Sequence, residues 1–197
     1  GCNEVYNLAA NMGGMGFIET HKVACMLSVL INTHLLMAAR DTGINRYFYA
    51  SSACVYNGEK QSDPNNQGLK ESDAYPALAE DGYGWEKLYS EIVALTYARK
   101  YPIQVRIARF QNCFGPEGSW EGGREKAPAA ISRKIAESKN GEIEIWGDGT
   151  AVRSYIYVED LLRGIYSLMK SDIKTPVNIG SPEYYSVLDL VKITSKV

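Results

Sequence analysis

Residues 46–54 read Arg46-Tyr47-Phe48-Tyr49-Ala50-Ser51-Ser52-Ala53-Cys54, an aromatic-rich run that stops at two serines. Arg46–Ala50 has the length and composition of a buried strand, and the small polar residues after it place a loop at its C-terminal end. Upstream, Val23–Arg40 has helical length and character, with Gly43 placed to terminate it, and Val5–Ala9 reads as a second buried strand. Downstream, Gly58–Asp81 mixes Pro, Asn, Gly and acids without periodicity and reads as a long loop. Tyr83–Lys100 is a helix that Pro102 ends, and Ile103–Phe110 is the next strand. Strands alternating with helices in this way predict an α/β fold with a mostly parallel, doubly wound sheet. Beyond it the pattern predicts a helix over Ala127–Glu137, with Pro128 in its first turn, and strands over Glu142–Trp146 and Ser154–Tyr157 around the turn Gly147-Asp148-Gly149. A helix over Glu159–Met169, a short strand over Val177–Ile179 and a helix over Val187–Val197 complete the chain.

The 197 residues, 45% hydrophobic and 22% charged, suit one soluble domain or a little more. Lys and Arg total 21 against 23 Asp and Glu, so the formal net charge is -2 and neither a nucleic-acid coat nor a polybasic membrane anchor is indicated. Four cysteines at Cys2, Cys25, Cys54 and Cys113 form neither a disulfide framework nor a zinc motif, and a reducing cytoplasm is the expected compartment. The longest apolar stretch, around Val23–Leu36, is broken by Ser28, Asn32, Thr33 and His34, and reads as no membrane span or leader.

In doubly wound sheets, chemistry gathers where strand C-termini meet loops. Three such ends carry unusual residues: Ser51–Cys54, Gln111–Gly115 and the stretch after Ala9. Tyr83 and Lys87, four apart at the start of a helix, lie on one face, and an ammonium beside a phenol favours the phenolate. Taken alone, Tyr-x-x-x-Lys also occurs in ordinary helices, Ser52 is also an ordinary turn serine, and Gly13-Gly14 is also a simple turn.

Ser51-Ser52-Ala53-Cys54-Val55-Tyr56, then a long loop, then Tyr83-x-x-x-Lys87, resembles the extended short-chain dehydrogenase/reductase family, in its NAD-dependent epimerase/dehydratase branch. Tyr6–Ile18 with its Gly13-Gly14-Met15-Gly16, Phe48–Cys54, Gly122-Gly123-Arg124-Glu125-Lys126-Ala127-Pro128-Ala129-Ala130 and Trp146–Gly149 resemble, over nearly the whole chain, those members that epimerise GDP-mannose. The resemblance implies a Rossmann-type fold. Residues 1–114 with roughly 155–180 would be the latter part of the NAD-binding domain, and 115–154 with 181–197 part of a substrate-binding lobe. No Gly-x-x-Gly-x-x-Gly follows the first strand, so the early strand–helix units and the pyrophosphate site are expected to lie before Gly1.

By the same resemblance the activity is that of an isomerase. NAD would transiently oxidise C4 of GDP-mannose, C3 and C5 would invert, and re-reduction would give GDP-L-galactose, with GDP-L-gulose as a potential second product. A C4 ketone acidifies the hydrogens on C3 and C5, and inversion needs a base on one face and an acid on the other. Tyr83, Lys87 and Ser52 would surround the reacting carbon, Cys54 would be the base and Lys126 the acid. A thiol serves at neutral pH when a cation lies close; Lys126 in its Gly-rich loop is also compatible with a solvated or phosphate-binding lysine. Substrate contacts fall on Gly13, Gly14, Ser52, Ala53, Cys54, Tyr83, Asn112, Glu125, Lys126, Ala127, Lys134, Ala151, Val152 and Arg153, and cofactor contacts on Ala9, Ala10, Tyr83 and Lys87; no metal is expected. Ala151-Val152 stands where the plant enzymes carry Gln-Thr, which loosens the inference about the nucleotide. A homodimer is implied. The competing readings are a nucleotide-sugar 4-epimerase or 4,6-dehydratase, and a non-catalytic nucleotide-binding member.

Overall fold

A computed structural model describes residues 1–62 and 68–197. Strands β1 (Glu4–Asn7), β2 (Arg46–Ser52), β3 (Gln104–Phe110) and β6 (Val177–Ile179) form a sheet in the order β1-β2-β3-β6, with every pair parallel. The alternation along β2 sets the layers. Tyr47 and Tyr49 face one side, where Leu36, Ala39, Ala94, Val105 and Ile107 complete a buried cluster. Phe48 and Ala50 face the other, against Ala108, Leu161, Ile165 and Leu168. Helices α3 (Ser28–Asp41) and α5 (Asp81–Lys100) therefore cover one face and α7 (Val158–Lys170) the other, as a parallel sheet apolar on both sides requires. The expected doubly wound arrangement is present.

A second sheet joins β4 (Asn112–Phe114) to β5 (Val152–Tyr157) in parallel, and β5 to β7 (Tyr184–Ser186) antiparallel. Helices α6 (Ala127–Glu137) and α8 (Val187–Thr194) accompany it. A capping box starts α8: the Ser186 hydroxyl accepts from Asp189 N at 3.0 Å, and the Asp189 carboxylate accepts from Ser186 N at 3.1 Å. Short helices α1 (Met15–Thr20), α2 (Lys22–Met26) and α4 (Gly58–Ser62), with 3₁₀ turns at Ala53–Val55 and Glu71–Ala74, fill the connections.

Several expected elements differ. The first strand ends at Asn7 rather than Ala9, because the Asn7 side-chain oxygen accepts from Ala9 N at 3.3 Å and turns the chain. The helix expected over Val23–Arg40 is two, broken at Leu27; just after the break, buried Ser28 accepts from Asn11 N at 2.9 Å. The loop expected over Gly58–Asp81 contains α4 and the 3₁₀ turn Glu71–Ala74, and its residues 63–67 lie outside the described residues. No strand forms at Glu142–Trp146. Ile143 and Ile145 do turn inward alternately, but Glu144 O is taken by the Lys134 ammonium at 2.6 Å and Glu142 O by the Ser138 hydroxyl at 2.8 Å. The last helix stops at Thr194. The stretch around Val23–Leu36, which read as no span, lies within Lys22–Asp41, which is long and apolar enough to cross a membrane by length and composition. In this fold it lies beside the sheet with Asn32, Leu36 and Ala39 buried.

Candidate active site

The C-terminal end of β2 and the first turn of α5 are built against each other. Glu80 N donates to Cys54 O at 2.8 Å, and a Cβ on Gly84 would collide with that same carbonyl. Only glycine lets the first turn of α5 lie on the 3₁₀ turn Ala53–Val55. Tyr83 and Lys87 are thereby held against the strand end, 4% and 3% exposed. The Lys87 ammonium donates to Ala50 O at 2.9 Å and lies 5.7 Å from the centroid of the Tyr83 ring. Ser52 caps the 3₁₀ turn, its hydroxyl accepting from Cys54 N at 3.2 Å. Sequence spacing expected Lys87 to draw Tyr83 toward phenolate. Burial dominates instead and pushes the phenol well above its ordinary range, the neighbouring Cys54 adds to the rise, and hydrogen bonding to Ser52 opposes it.

Cys54, from the turn after β2, and Lys126, from the N-cap of α6, lie close enough to act on each other's charge. Burial pushes the Cys54 thiol up to about 11, with Ser52 and Lys126 pulling it down. The thiol is therefore neutral at physiological pH, contrary to the expectation of near-neutral ionisation. Burial also lowers Lys126, while Cys113 and Cys54 hold it up. Lys126 makes no salt bridge or side-chain hydrogen bond among the described residues, which leaves its ammonium available to the cleft.

The remaining expected residues are placed unevenly. Gly13 and Gly14 lie against the Arg124–Lys126 loop: Gly14 N donates to Arg124 O at 3.1 Å, and a Cβ on Gly14 would sit 2.5 Å from Glu125 O. Glu125 turns back into its own loop, accepting from Gly123 N at 2.7 Å and pairing with Arg133 at 3.4 Å; its own backbone N–H first, then Gly123 N and Arg133, hold its carboxyl below its ordinary range against burial. Ala127 opens α6 beside Lys126. The Asn112 amide donates to Ser154 O at 3.2 Å, which ties the start of β4 to β5. Lys134 donates to Glu144 O at 2.6 Å, which accounts for one of its three N–H donors. Arg153 donates to Val152 O at 2.8 Å and pairs with no carboxylate among the described residues; Ala151 accepts from Val187 N at 3.2 Å. Ala53 lies in the turn with Cys54, and Ala9 and Ala10 follow the end of β1, where Ala9 is exposed.

Sequence reading missed a buried network beneath the strand end. Arg109 donates to both oxygens of Glu91, at 3.0 and 2.8 Å, with each side chain 2% exposed. Ser51 donates to Glu91 at 2.5 Å, and Arg109 also reaches the Tyr56 hydroxyl at 3.1 Å and Glu71 O at 2.8 Å. The Tyr56 hydroxyl donates to Asn178 on β6 at 2.6 Å. The available signal was the spacing of Tyr83, Lys87 and Glu91, successive turns of one helix face with the charges turned inward. Glu86 was likewise unforeseen: it is buried, and neither its Oε2 nor the Tyr49 hydroxyl has a partner among the described residues.

The chain is 47% identical over 194 residues, 98% of its length, to a GDP-mannose 3,5-epimerase of Arabidopsis thaliana, and spans 51% of that protein; it thus spans about half the length of the relatives it matches. Its fold superposes on UDP-glucose 4-epimerase of Thermotoga maritima with a TM-score of 0.82 at 22% identity, covering 98% of this chain and 60% of that one. A second solved structure, MoeE5 in complex with UDP-glucose and NAD, is 28% identical with a TM-score of 0.78, over 98% of this chain and 62% of that one. Residues 1–180 match the NAD-dependent epimerase/dehydratase family, and the chain belongs to that family.

Proposed function

We propose that this chain carries the acid–base chemistry of an isomerase that inverts C3 and C5 of GDP-mannose through transient oxidation at C4, giving GDP-L-galactose and, when C5 alone inverts without rotation of the ring contacts, a second epimer such as GDP-L-gulose. The observation that carries the reading is the meeting of Tyr83, Ser52 and Cys54 on one wall with Lys126 on the facing loop. A simple 4-epimerase has no use for a second acid–base pair. The 47% identity to a GDP-mannose 3,5-epimerase supports the substrate class.

Tyr83 accepts the C4 hydroxyl proton while Ser52 hydrogen-bonds the same oxygen. Burial keeps Tyr83 protonated until positive charge gathers at the site, and Lys87 is the chain's own cation there. Cys54 in its thiolate form, which the Lys126 ammonium favours against burial, removes the proton made acidic by the C4 ketone, and Lys126 supplies one from the opposite face. The donor set fits the nicotinamide-ribose end of a dinucleotide: the buried Lys87 ammonium has three N–H donors, and Ala50 O accounts for one of them. Lys87, Tyr83, Ala9 and Ala10 would line that end of NAD, which when bound supplies the hydride acceptor and donor for C4.

A homodimer is part of the same reading. Met26 on α2, Leu27 between the helices, Leu30 on α3, and Trp85, Tyr89 and Ile92 on α5 are all exposed, apolar side chains of the kind that a partner subunit covers. Light scattering of the full-length protein should give twice the monomer mass, and Tyr89→Arg should lower it.

The test of the reaction is incubation of the full-length protein with GDP-mannose and NAD in heavy water. Deuterium at C3 and C5 of recovered sugar is expected. Label at neither carbon defeats the reading in favour of a 4-epimerase, and loss of C6 oxygen identifies a 4,6-dehydratase instead.

A further inference from the structure

We propose that Arg124 is a positioning residue that docks the loop carrying Lys126 onto Asn11–Phe17, so that the ammonium meets the sugar from the face opposite Cys54. The inference rests on the acid role given to Lys126 above.

The loop enters the cleft through Gly122 and Gly123, both left-handed at φ +83°. A two-glycine hinge has little rigidity of its own, so something else must fix where Lys126 points. Arg124 supplies three contacts to the facing segment. Its Nη1 donates to Met12 O at 2.9 Å, its Nη2 donates to Asn11 Oδ1 at 2.9 Å, and its guanidinium lies 3.9 Å from the centroid of the Phe17 ring. The backbone adds a fourth, from Gly14 N to Arg124 O at 3.1 Å. The two segments touch backbone to backbone, since a Cβ on Gly13 would lie 3.1 Å from Arg124 Cα.

No carboxylate pairs with Arg124 among the described residues, so its charge is not neutralised locally. Two parallel N–H donors and a flat cation over an aromatic ring form a geometric clamp that a lysine's single ammonium does not reproduce. The clamp also reaches the chemistry. Phe17 stacks on His21 at 4.3 Å on one side and shares a buried cluster with Tyr83 and Cys25, with Cys54 packed at its edge. Guanidinium, Phe17 ring and Tyr83 thus make one continuous packed line from the acid loop to the oxidation site.

The experiment compares the full-length enzyme with Arg124→Gln and Arg124→Lys, using GDP-mannose and NAD in heavy water. Deuterium at C5 is read separately in recovered GDP-mannose and in the epimerised product. With the loop undocked, Cys54 still removes its proton, but protonation returns on the same face, so label accumulates in GDP-mannose. The ratio of labelled substrate to labelled product should rise about tenfold or more in Arg124→Gln and less in Arg124→Lys, the size of effect expected from a small misplacement of a catalytic group. Backbone amide exchange across residues 11–17 should accelerate in the same order. An unchanged labelling ratio, or unchanged amide exchange at 11–17, overturns the proposal, because a general loss of structure would lower both labels together. If the unaltered enzyme incorporates no deuterium, the reading of the reaction fails separately, and the amide exchange still decides whether Arg124 holds the loop.

Discussion

The Cys54 thiol and the Lys126 ammonium act on each other across the cleft. Lys126 draws Cys54 toward thiolate, Cys54 draws Lys126 toward ammonium, and burial pushes each toward its neutral form. Desolvation is the larger influence on both, so the resting pair is a thiol facing a weakened ammonium. Proton abstraction by Cys54 therefore requires that the thiol first lose its proton, and Lys126 is the neighbouring cation that favours that loss.

The coupling is measurable through Cys54 itself. Lys126→Met removes a charge that lowers the thiol, so the Cys54 pKa should climb above about 11 and its thiolate fraction fall at any fixed pH below that value. Iodoacetamide alkylation of Cys54 at mildly alkaline pH should slow by about two- to tenfold, one pKa unit corresponding to tenfold in thiolate. Lys126→Arg should restore most of the rate. Unchanged or faster alkylation in Lys126→Met would show that the two groups are not coupled.

Tyr83 and Cys54 belong to different steps, and isotopes separate them. Tyr83→Phe removes the proton acceptor for C4, so no ketone forms and the C3 and C5 hydrogens keep their ordinary acidity. Turnover and deuterium exchange should both drop by about 10² to 10⁴, the usual contribution of one acid–base group, with GDP-mannose affinity little changed. Cys54→Ser should lose C5 exchange while single-turnover reduction of NAD persists, because oxidation at C4 precedes the thiol's work. Equal loss of NAD reduction in both variants would merge the two roles.

Gly84 is the residue on which the wall of the site closes. In Gly84→Ala the new methyl meets the Cys54 carbonyl, which Glu80 N already holds at 2.8 Å, so the 3₁₀ turn must shift away from Tyr83. Overpacking of this kind costs about 1–3 kcal/mol, visible as an earlier urea midpoint. The activity loss should exceed what that cost alone implies, since Ser52 and Cys54 move together. Full activity with reduced stability would mean that the turn tolerates the displacement.

The layers were legible because periodicity reports burial. Aromatic β2 is apolar on both sides and reads as a buried parallel strand, and the Tyr83–Lys100 helix is observed with only its first two residues added. Ser52 with Cys54, and Tyr83 with Lys87, were legible as two short motifs, and the family resemblance joined them across the long connection between. The break at Leu27 was hidden, since the Ser28–Asn11 bond that accompanies it joins residues distant in sequence. Glu142–Trp146 has a strand's alternation but takes its hydrogen bonds from Lys134 and Ser138, a choice that no local pattern reveals. The proton affinities of Tyr83 and Cys54 escaped for a related reason. Spacing shows which charges are neighbours, but burial, set by the whole fold, outweighs them here.

The Glu91–Arg109 pair makes the same point about stability and gives the sharpest test of it. Its two charges are buried, with Ser51, Tyr56 and Glu71 O completing the hydrogen bonds. Removing one partner by Arg109→Met leaves the other charge buried and unpaired, which should cost about 3–5 kcal/mol, and Glu91→Leu should cost a similar amount. Replacing both at once removes the stranded charge, so the double variant should lose far less than the two single losses added together. Urea denaturation of all four proteins closes the cycle. The double variant should still show weakened catalysis, because Tyr56, next to the segment carrying Ser52 and Cys54, loses its contact with Arg109. Strict additivity of the single losses would mean that the pair is not coupled, and full activity in the double variant would mean that the network beneath the strand end does not position the site.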